Sequence, residues 1–334
     1  MKRAKSLFNQ IISYDNVRLA WLKARRHKTS KNVVKNFSKN VNKNLLIVQK
    51  NLKSKPAILS SYSQFTIYEP KERLISVVPF IDRVMHHAIM NVLEPVFEKQ
   101  FIFHTYACRK GKGSHKAIKY AFSKAKNCEY FLKLDVKKYF ENIDHNILKR
   151  KLSKIIKDKE CLDLLFDIID SFSTEKGLPI GNLTSQFFAN LYLSELDHFV
   201  LEKLKPSGYC RYMDDFILFS NSKEELLKML SKIECFCHEK LLLNLKPFIF
   251  GKCKDGIGFL GYKISSKNVD LLQISKKRKK IKLKRINYEL KNGFISQAKY
   301  VERAKCLFSV KIVTKAYLKA KNRTENFKKL TENF

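Results

Sequence analysis

Three carboxylates stand where this chain could do chemistry. Residues 208–220, GYCRYMDDFILFS, set Asp214 and Asp215 between two apolar, aromatic runs, and two strands joined at Met213-Asp214-Asp215 make a hairpin with carboxylates at its tip. Like charges this close raise each other's pKa, and a bound cation is the usual compensation. For a lone Asp-Asp pair an exposed turn with two solvated carboxylates is the better reading. A further carboxylate, Asp135, shifts the balance. It lies 79 positions upstream of Asp214 and ends the alternating run EYFLKLDV of residues 129–136. There Tyr130, Leu132, Leu134 and Val136 share one face of a strand, and Phe131, Lys133 and Asp135 share the other. Such carboxylates could hold two Mg²⁺ ions about 3.5–4 Å apart, the arrangement that activates a 3′-hydroxyl and stabilises a leaving pyrophosphate. Asp144 reads differently. It precedes a helical stretch from His145 to about Lys157 and is a natural N-cap.

The surrounding charge suits such a centre. The 334 residues carry 67 Lys and Arg against 31 Asp and Glu, a net charge of +36, with 45 % hydrophobic residues. That is a folded chain whose natural counterpart is a polyanion. Residues 1–127 hold 26 basic and 6 acidic side chains, residues 270–334 hold 19 and 5, and the block 128–220 holds 13 and 15. An acid-enriched centre between cationic flanks fits metal ions held inside a groove for phosphates; a globular core with basic appendages is the plainer reading. No apolar run reaches the ~20 residues that span a bilayer, and the opening MKRAKSLFNQIISYD has no signal-peptide core. The expectation is a cytoplasmic protein with no membrane partner. The eight cysteines read as reduced thiols, and Cys235, Cys237 and Cys253, which with His238 could be stretched into a zinc site, read instead as small buried thiols.

The elements that must position the carboxylates follow from the same patterns. Phe65–Tyr68 and Leu74–Val78 are apolar runs around Lys71 and Arg73, a hairpin with a cationic end. Arg109-Lys110-Gly111-Lys112-Gly113 is a cationic turn suited to phosphate or template backbone. From Lys276 to Arg285 eight of ten residues are basic and open a helical tail. Few Pro, few Gly and no Ser/Gly linker imply contiguous units.

Together these runs resemble the reverse transcriptase family. LDVKKYF with Asp135, GLPIGNLTSQFFANLYLSELD from Gly177, and YMDD at Tyr212–Asp215 are similar to its palm motifs in order and spacing. FLGY at Phe259–Tyr262 is similar to the hairpin that grips the primer end; YEPKERLISVVP from Tyr68 and YACRKGKGSHKAI from Tyr106 resemble the finger motifs of bacterial and group II-like enzymes. The resemblance runs from about Tyr68 to Tyr262.

It implies an α+β right-hand polymerase fold. The N-terminal extension and fingers would span residues 1–127. The palm would take 128–269, with finger helices inserted at about 145–176, and a small basic helical thumb 270–334. The implied activity is RNA-directed DNA polymerisation with dNTP substrates and two Mg²⁺ ions, Mn²⁺ substituting. Asp135 and Asp214 would be the main metal ligands, Asp215 the third catalytic carboxylate, and Val136 a carbonyl ligand. Phe140 falls where the family places an aromatic gate against the ribonucleotide 2′-hydroxyl, though packing beside Tyr139 is the alternative. Lys71 and Arg73 would clasp the triphosphate, and Gly181 and Gln186 would line the nucleotide pocket. Lys246, in Asn244-Leu245-Lys246, would approach the pyrophosphate.

Ile180 departs from the Gln found before the motif-B Gly in many reverse transcriptases. The form IGNLTSQ is similar to diversity-generating retroelement enzymes, which copy RNA with errors at adenines. A branched aliphatic in place of an amide removes a polar contact on the incoming nucleotide, which implies low fidelity. The implied partners are template RNA, an RNA/DNA duplex and a small basic accessory protein oligomer. The tail after residue 270 leaves room for a thumb but for no endonuclease or RNase H. A retron-like, group II-like or phage-defence enzyme, and a catalytically inactive RNA-binding protein, stay open. An RNA-templated RNA polymerase is disfavoured by Phe140 and YMDD.

Overall fold

The computed structural model describes residues 4–68, 72–172 and 175–308. Its contacts divide the chain into two units, one from the described parts of Met1–Cys108, Asp135–Lys203 and Ser231–Lys246, the other from those of Arg109–Leu134, Leu204–Leu230 and Pro247–Phe334. Both mix helices with antiparallel strands.

The first unit opens with four helices, α1 (Phe8–Ile12), α2 (Tyr14–Arg25), α3 (Asn32–Lys39) and α4 (Val41–Lys53). Ser13 starts α2 by accepting from the Asn16 N–H, and Val17, Ala20 and Ala24 give it an apolar stripe of helical period. The hairpin of β1 (Ser63–Ile67) and β2 (Arg73–Val77) follows in the expected place, with Phe65 opposite Ile75. α5 (Phe80–Glu98) buries Val84, Met85, Ala88, Ile89, Leu93 and Phe97, and α1 to α4 pack on it.

In the second unit α6 (Ser114–Asn127) turns its small residues Ala117, Ala121 and Ala125 inward and packs against the sheet strands β4 and β5 described below. The strand expected at 129–136 is β3 (Tyr130–Asp135). Two helices, α7 (His145–Ile155) and α8 (Lys159–Asp170), lie in the first unit, and Asp144 caps α7, its carboxylate accepting from the Ile147 N–H at 2.9 Å. α9 (Leu183–His198) is buried almost all round. Its polar groups are therefore paired: Asn190 donates to the Ala107 carbonyl at 2.9 Å and Asp197 accepts from the Thr105 hydroxyl at 3.0 Å.

The remaining elements are β4 (Gly208–Tyr212), β5 (Asp215–Ser220), α10 (Lys223–Leu241), β6 (Ile249–Lys252), β7 (Ile257–Phe259), β8 (Tyr262–Ile264), β9 (Val269–Leu271), α11 (Gln273–Lys291) and α12 (Gln297–Phe308). One sheet has the order β4-β5-β3-β6, another β7-β8-β9. Phe216, Ile217, Leu218 and Phe219 make β5 a core strand; truncating either Phe to Ala would cost about 3–5 kcal/mol. α11 and α12 form the basic tail, tied by Glu289, which accepts from Arg285 at 3.2 Å and from Arg303. No helix among the described residues is long and apolar enough to cross a membrane.

Candidate active site

The register of β4 and β5 pairs Tyr212 with Asp215. The hairpin loop is thus two residues, Met213 and Asp214, and Asp215 already belongs to β5, one position further into the strand than the sequence pattern places it. Met213 has φ 58°. A side chain in the left-handed region at this loop position stores strain that Gly would avoid. The flanks hold it there: Arg211 is fully buried and donates from Nη1 to the Met213 carbonyl at 2.9 Å.

Lys133 on β3 reaches Asp215, Nζ to Oδ2 3.2 Å, and also donates to the Gly258 carbonyl at 2.8 Å. The alternation in EYFLKLDV already set Lys133 on the face of Asp135, so its place at the carboxylates was readable but was not singled out as functional.

Asp135 is the last residue of β3. Just past it the chain runs antiparallel to residues 244–246. Val136 bridges Leu245, the Lys137 N–H donates to the Asn244 carbonyl and the Lys246 N–H to the Asp135 carbonyl, both at 2.8 Å. Lys246 also places Nζ 2.5 Å from Asp135 Oδ1. The structure therefore brings Lys246 to a carboxylate. Val136 is wholly buried.

Among the described residues no three His, Cys, Asp or Glu side chains stand together as a ready-made metal cage. Lysine ammonium groups supply the positive charge at Asp135 and Asp215. Carboxylates are the hard oxygen donors that Mg²⁺ takes, and two of these already hold a cation, so the donor set fits a divalent ion in kind.

The segment from Gly177 to Gln186 is pinned at several points. The Ile180 carbonyl accepts from the Ser76 N–H on β2 at 2.9 Å. Asn182 donates to the Tyr62 hydroxyl at 3.2 Å, and the Thr184 hydroxyl meets His86 Nδ1 on α5 at 3.0 Å. Gly181 has φ +133°, and a Cβ there would lie 2.5 Å from the Ser76 carbonyl oxygen. Only Gly permits this approach, and Gly181→Ala would cost about 1–3 kcal/mol in strain. Gln186 is half-buried on the first turn of α9. Asn182, Thr184 and Ser76 were not readable as anchors, because their partners lie more than 90 residues away in the chain.

Phe140 sits on a short 3₁₀ turn, Tyr139–Asn142. Tyr139 is the buried ring, its hydroxyl donating to the Ala189 carbonyl, while Phe140 is half-exposed against it, ring centroids 5.7 Å apart. Packing thus uses Tyr139 first and leaves part of Phe140 open. Arg73 is exposed at the start of β2, opposite Ile67; Lys71 lies outside the described residues. FLGY forms the β7–β8 turn, with Leu260 at φ 49° and Gly261 at φ 85°, a type I′ geometry. Arg109 and Lys112 close the expected cationic turn, with Gly111 at φ 69°. Of the cysteines read as buried, Cys237 is buried on α10, its thiol pushed up to about 12 by burial, and Cys253 is buried too. Cys235 is exposed, a correction with a simple cause: residues two apart on a helix face different sides.

Residues 63–264 match the family model described as reverse transcriptase (RNA-dependent DNA polymerase). The chain is similar to the group II intron-encoded protein LtrA of Lactococcus lactis, 24 % identical over 282 residues, covering 63 % of this chain and 47 % of that one. It is 28 % identical over 197 residues to the retron Ec73 reverse transcriptase of Escherichia coli, covering 54 % and 56 %. An uncharacterized 91 kDa protein in a cob intron of Schizosaccharomyces pombe is 26 % identical over 257 residues, covering 56 % of this chain and 32 % of its own length. The chain thus spans about a third to just over half of these relatives. Among solved structures, apo telomerase from Candida tropicalis superposes with a TM-score of 0.51 at 12 % identity, covering 64 % of this chain and 48 % of that one.

Proposed function

Since the chain belongs to the reverse transcriptase family and has the right-hand polymerase fold, we propose that it synthesises DNA on an RNA template by metal-assisted nucleotidyl transfer. One observation carries this reading: in the four-stranded sheet the strand that ends in Asp135 runs next to the strand that begins at Asp215, one residue after Asp214. Asp135, Asp214 and Asp215 would hold two divalent ions, with the Val136 carbonyl as a further ligand. The ions would lower the pKa of a primer 3′-hydroxyl and offset charge on the leaving pyrophosphate. Lys246 and Lys133 keep the carboxylates compensated before substrate arrives. Arg73 and Lys71 would grip the triphosphate, and the half-exposed Phe140 ring would exclude a 2′-hydroxyl. Gly181, Ile180 and Gln186 would shape the nucleotide pocket. Fingers, palm and thumb would fall at residues 1–127, 128–269 and 270–334.

Primer extension on a defined RNA with dNTPs and Mg²⁺ tests this. Metal-dependent cDNA, lost in Asp214→Asn, is expected; equal synthesis by that variant would overturn the assignment.

Two finer readings divide on that product. Ile180 and the run IGNLTSQ favour an error-prone enzyme of a diversity-generating retroelement, working with a small basic accessory protein. The names of the intron-encoded and retron relatives favour a group II-like or retron-like enzyme. Sequencing the cDNA separates them: errors concentrated at template adenines, and reduced by Ile180→Gln, fit the first; uniform accuracy unaffected by that change fits the second.

A further inference from the structure

Among the described residues, a group of cations where α2 and the turn after it pack on the first half of α5 makes no ion pair with an acidic side chain. We propose that Lys23, Lys28, Arg83 and His87 form a phosphate-binding site for the backbone of an RNA strand, separate from the carboxylate residues above; the choice of RNA rests on the function just proposed.

The composition leaves these cations uncompensated. From Asn16 to Tyr68 the chain has twelve Lys and Arg and not one Asp or Glu. On α2 the acid is Asp15, one residue before the Asn16 that meets Asn91, the acceptor of Lys23; among the described residues no ion pair joins Asp15 to Lys23. On α5 Asp82 adjoins Arg83, but its oxygens accept from the N–H and hydroxyl of Ser60, at 2.7 and 3.0 Å. The next acid, Glu94, is eleven residues past Arg83, about 16 Å along the helix. α1, α3 and α4, which also pack here, contain none.

The side chains are half-buried rather than free in solvent. Arg83 Nε is buried and donates to nothing. Among the described residues Lys23 pairs with a neutral acceptor, Asn91 Oδ1, at 2.5 Å. Burial, then Arg83 and Lys31, holds the Lys28 ammonium below its usual range. Burial, then Arg83, Lys23 and Lys28, brings His87 down to about 4, leaving a neutral imidazole among cations. The same turn walls a shallow cavity of about 350 Å³ lined by Arg25, Thr29, Val34, Lys35, Ser38 and Lys39. Guanidinium, ammonium and hydroxyl donors over one small concavity suit phosphate oxygens, and successive phosphates of one strand could meet the two groups.

The test uses the full chain and a short labelled single-stranded RNA without primer or nucleotides. Anisotropy would follow affinity against salt for the parent, Lys28→Gln, Arg83→Gln and the double variant. Each lost phosphate contact should flatten the log–log salt slope by about 0.7, so the double variant should lose about 1.4. Inorganic phosphate should raise the parent's melting temperature above that in chloride at equal ionic strength, and the double variant should not respond. Lys28 lies in the turn, so Lys28→Gln keeps the test open if Arg83→Gln does not fold. Unchanged slopes, an equal phosphate response, or tighter binding to phosphatidylglycerol vesicles than to RNA at matched charge would overturn the proposal. No step requires synthesis, so failure of the polymerase reading would appear separately, as an absence of cDNA from every protein.

Discussion

The carboxylate hairpin and the N-terminal cation cluster solve opposite electrostatic problems. At the hairpin strand Asp215 has Lys133, and at the end of β3 Asp135 has Lys246. At the cluster Lys23 meets the neutral Asn91 amide oxygen, and Lys28 lies beside the like charges of Arg83 and Lys31. The first arrangement is neutral at rest and can exchange one cation for another. The second carries repulsion at rest, which only an incoming anion relieves.

Substitutions should separate the two. The largest effect is expected from Asp214→Asn. As a proposed metal ligand, Asp214 should take with it several kcal/mol of transition-state stabilisation, on the order of 10³-fold in extension rate. RNA affinity should not fall, which an anisotropy titration checks; a matching loss of affinity would merge the two regions.

The next effect is a pH response on the cationic side. His86 lies buried beside the cluster, and burial, then His87 and Arg83, brings it down to about 4. The unfolded chain takes up this proton near 6.5 and the folded chain does not until about 4. Stability is therefore full above about 6.5 and lost as pH falls toward 4, on the order of 2–3 kcal/mol from His86. Urea midpoints at pH 7 and 5 measure it, and a midpoint that does not move would contradict the account.

Smaller still is Asp144→Ala, which removes an N-cap for about 1 kcal/mol. Melting temperature should fall while the extension rate holds, marking Asp144 as a carboxylate without chemistry. The smallest effect is Lys133→Met. A partly exposed pair is worth about 0.2–1 kcal/mol, so removing the competing Lys133 ammonium should lower the half-saturating Mg²⁺ concentration by up to about fivefold. An unchanged metal titration would mean that Lys133 does not compete for the site.

Local pattern carried much of this into view. Alternation in EYFLKLDV gives β3, the apolar runs around Met213-Asp214 give the hairpin, and Asp144 before an amphipathic stretch gives the cap of α7. All three depend on neighbours in sequence. What joins distant segments was not legible: the Ser76 backbone against Gly181, Tyr62 on Asn182, and Lys246 on Asp135 across 111 residues. The cation cluster lay between these cases. Its acid-free stretch is visible in the sequence, but only the packing of α2 on α5 sets Lys23 and Lys28 beside Arg83.

The central claim is that carboxylates from two strands act as one metal-dependent centre for copying RNA. Single-turnover extension of an RNA-templated primer by Asp135→Asn, Asp214→Asn and the double variant tests it most directly. If the residues act as a unit, each single change should lose on the order of 10³-fold and the double change little more. Losses that multiply, or either single variant extending at the parent's rate, would contradict it.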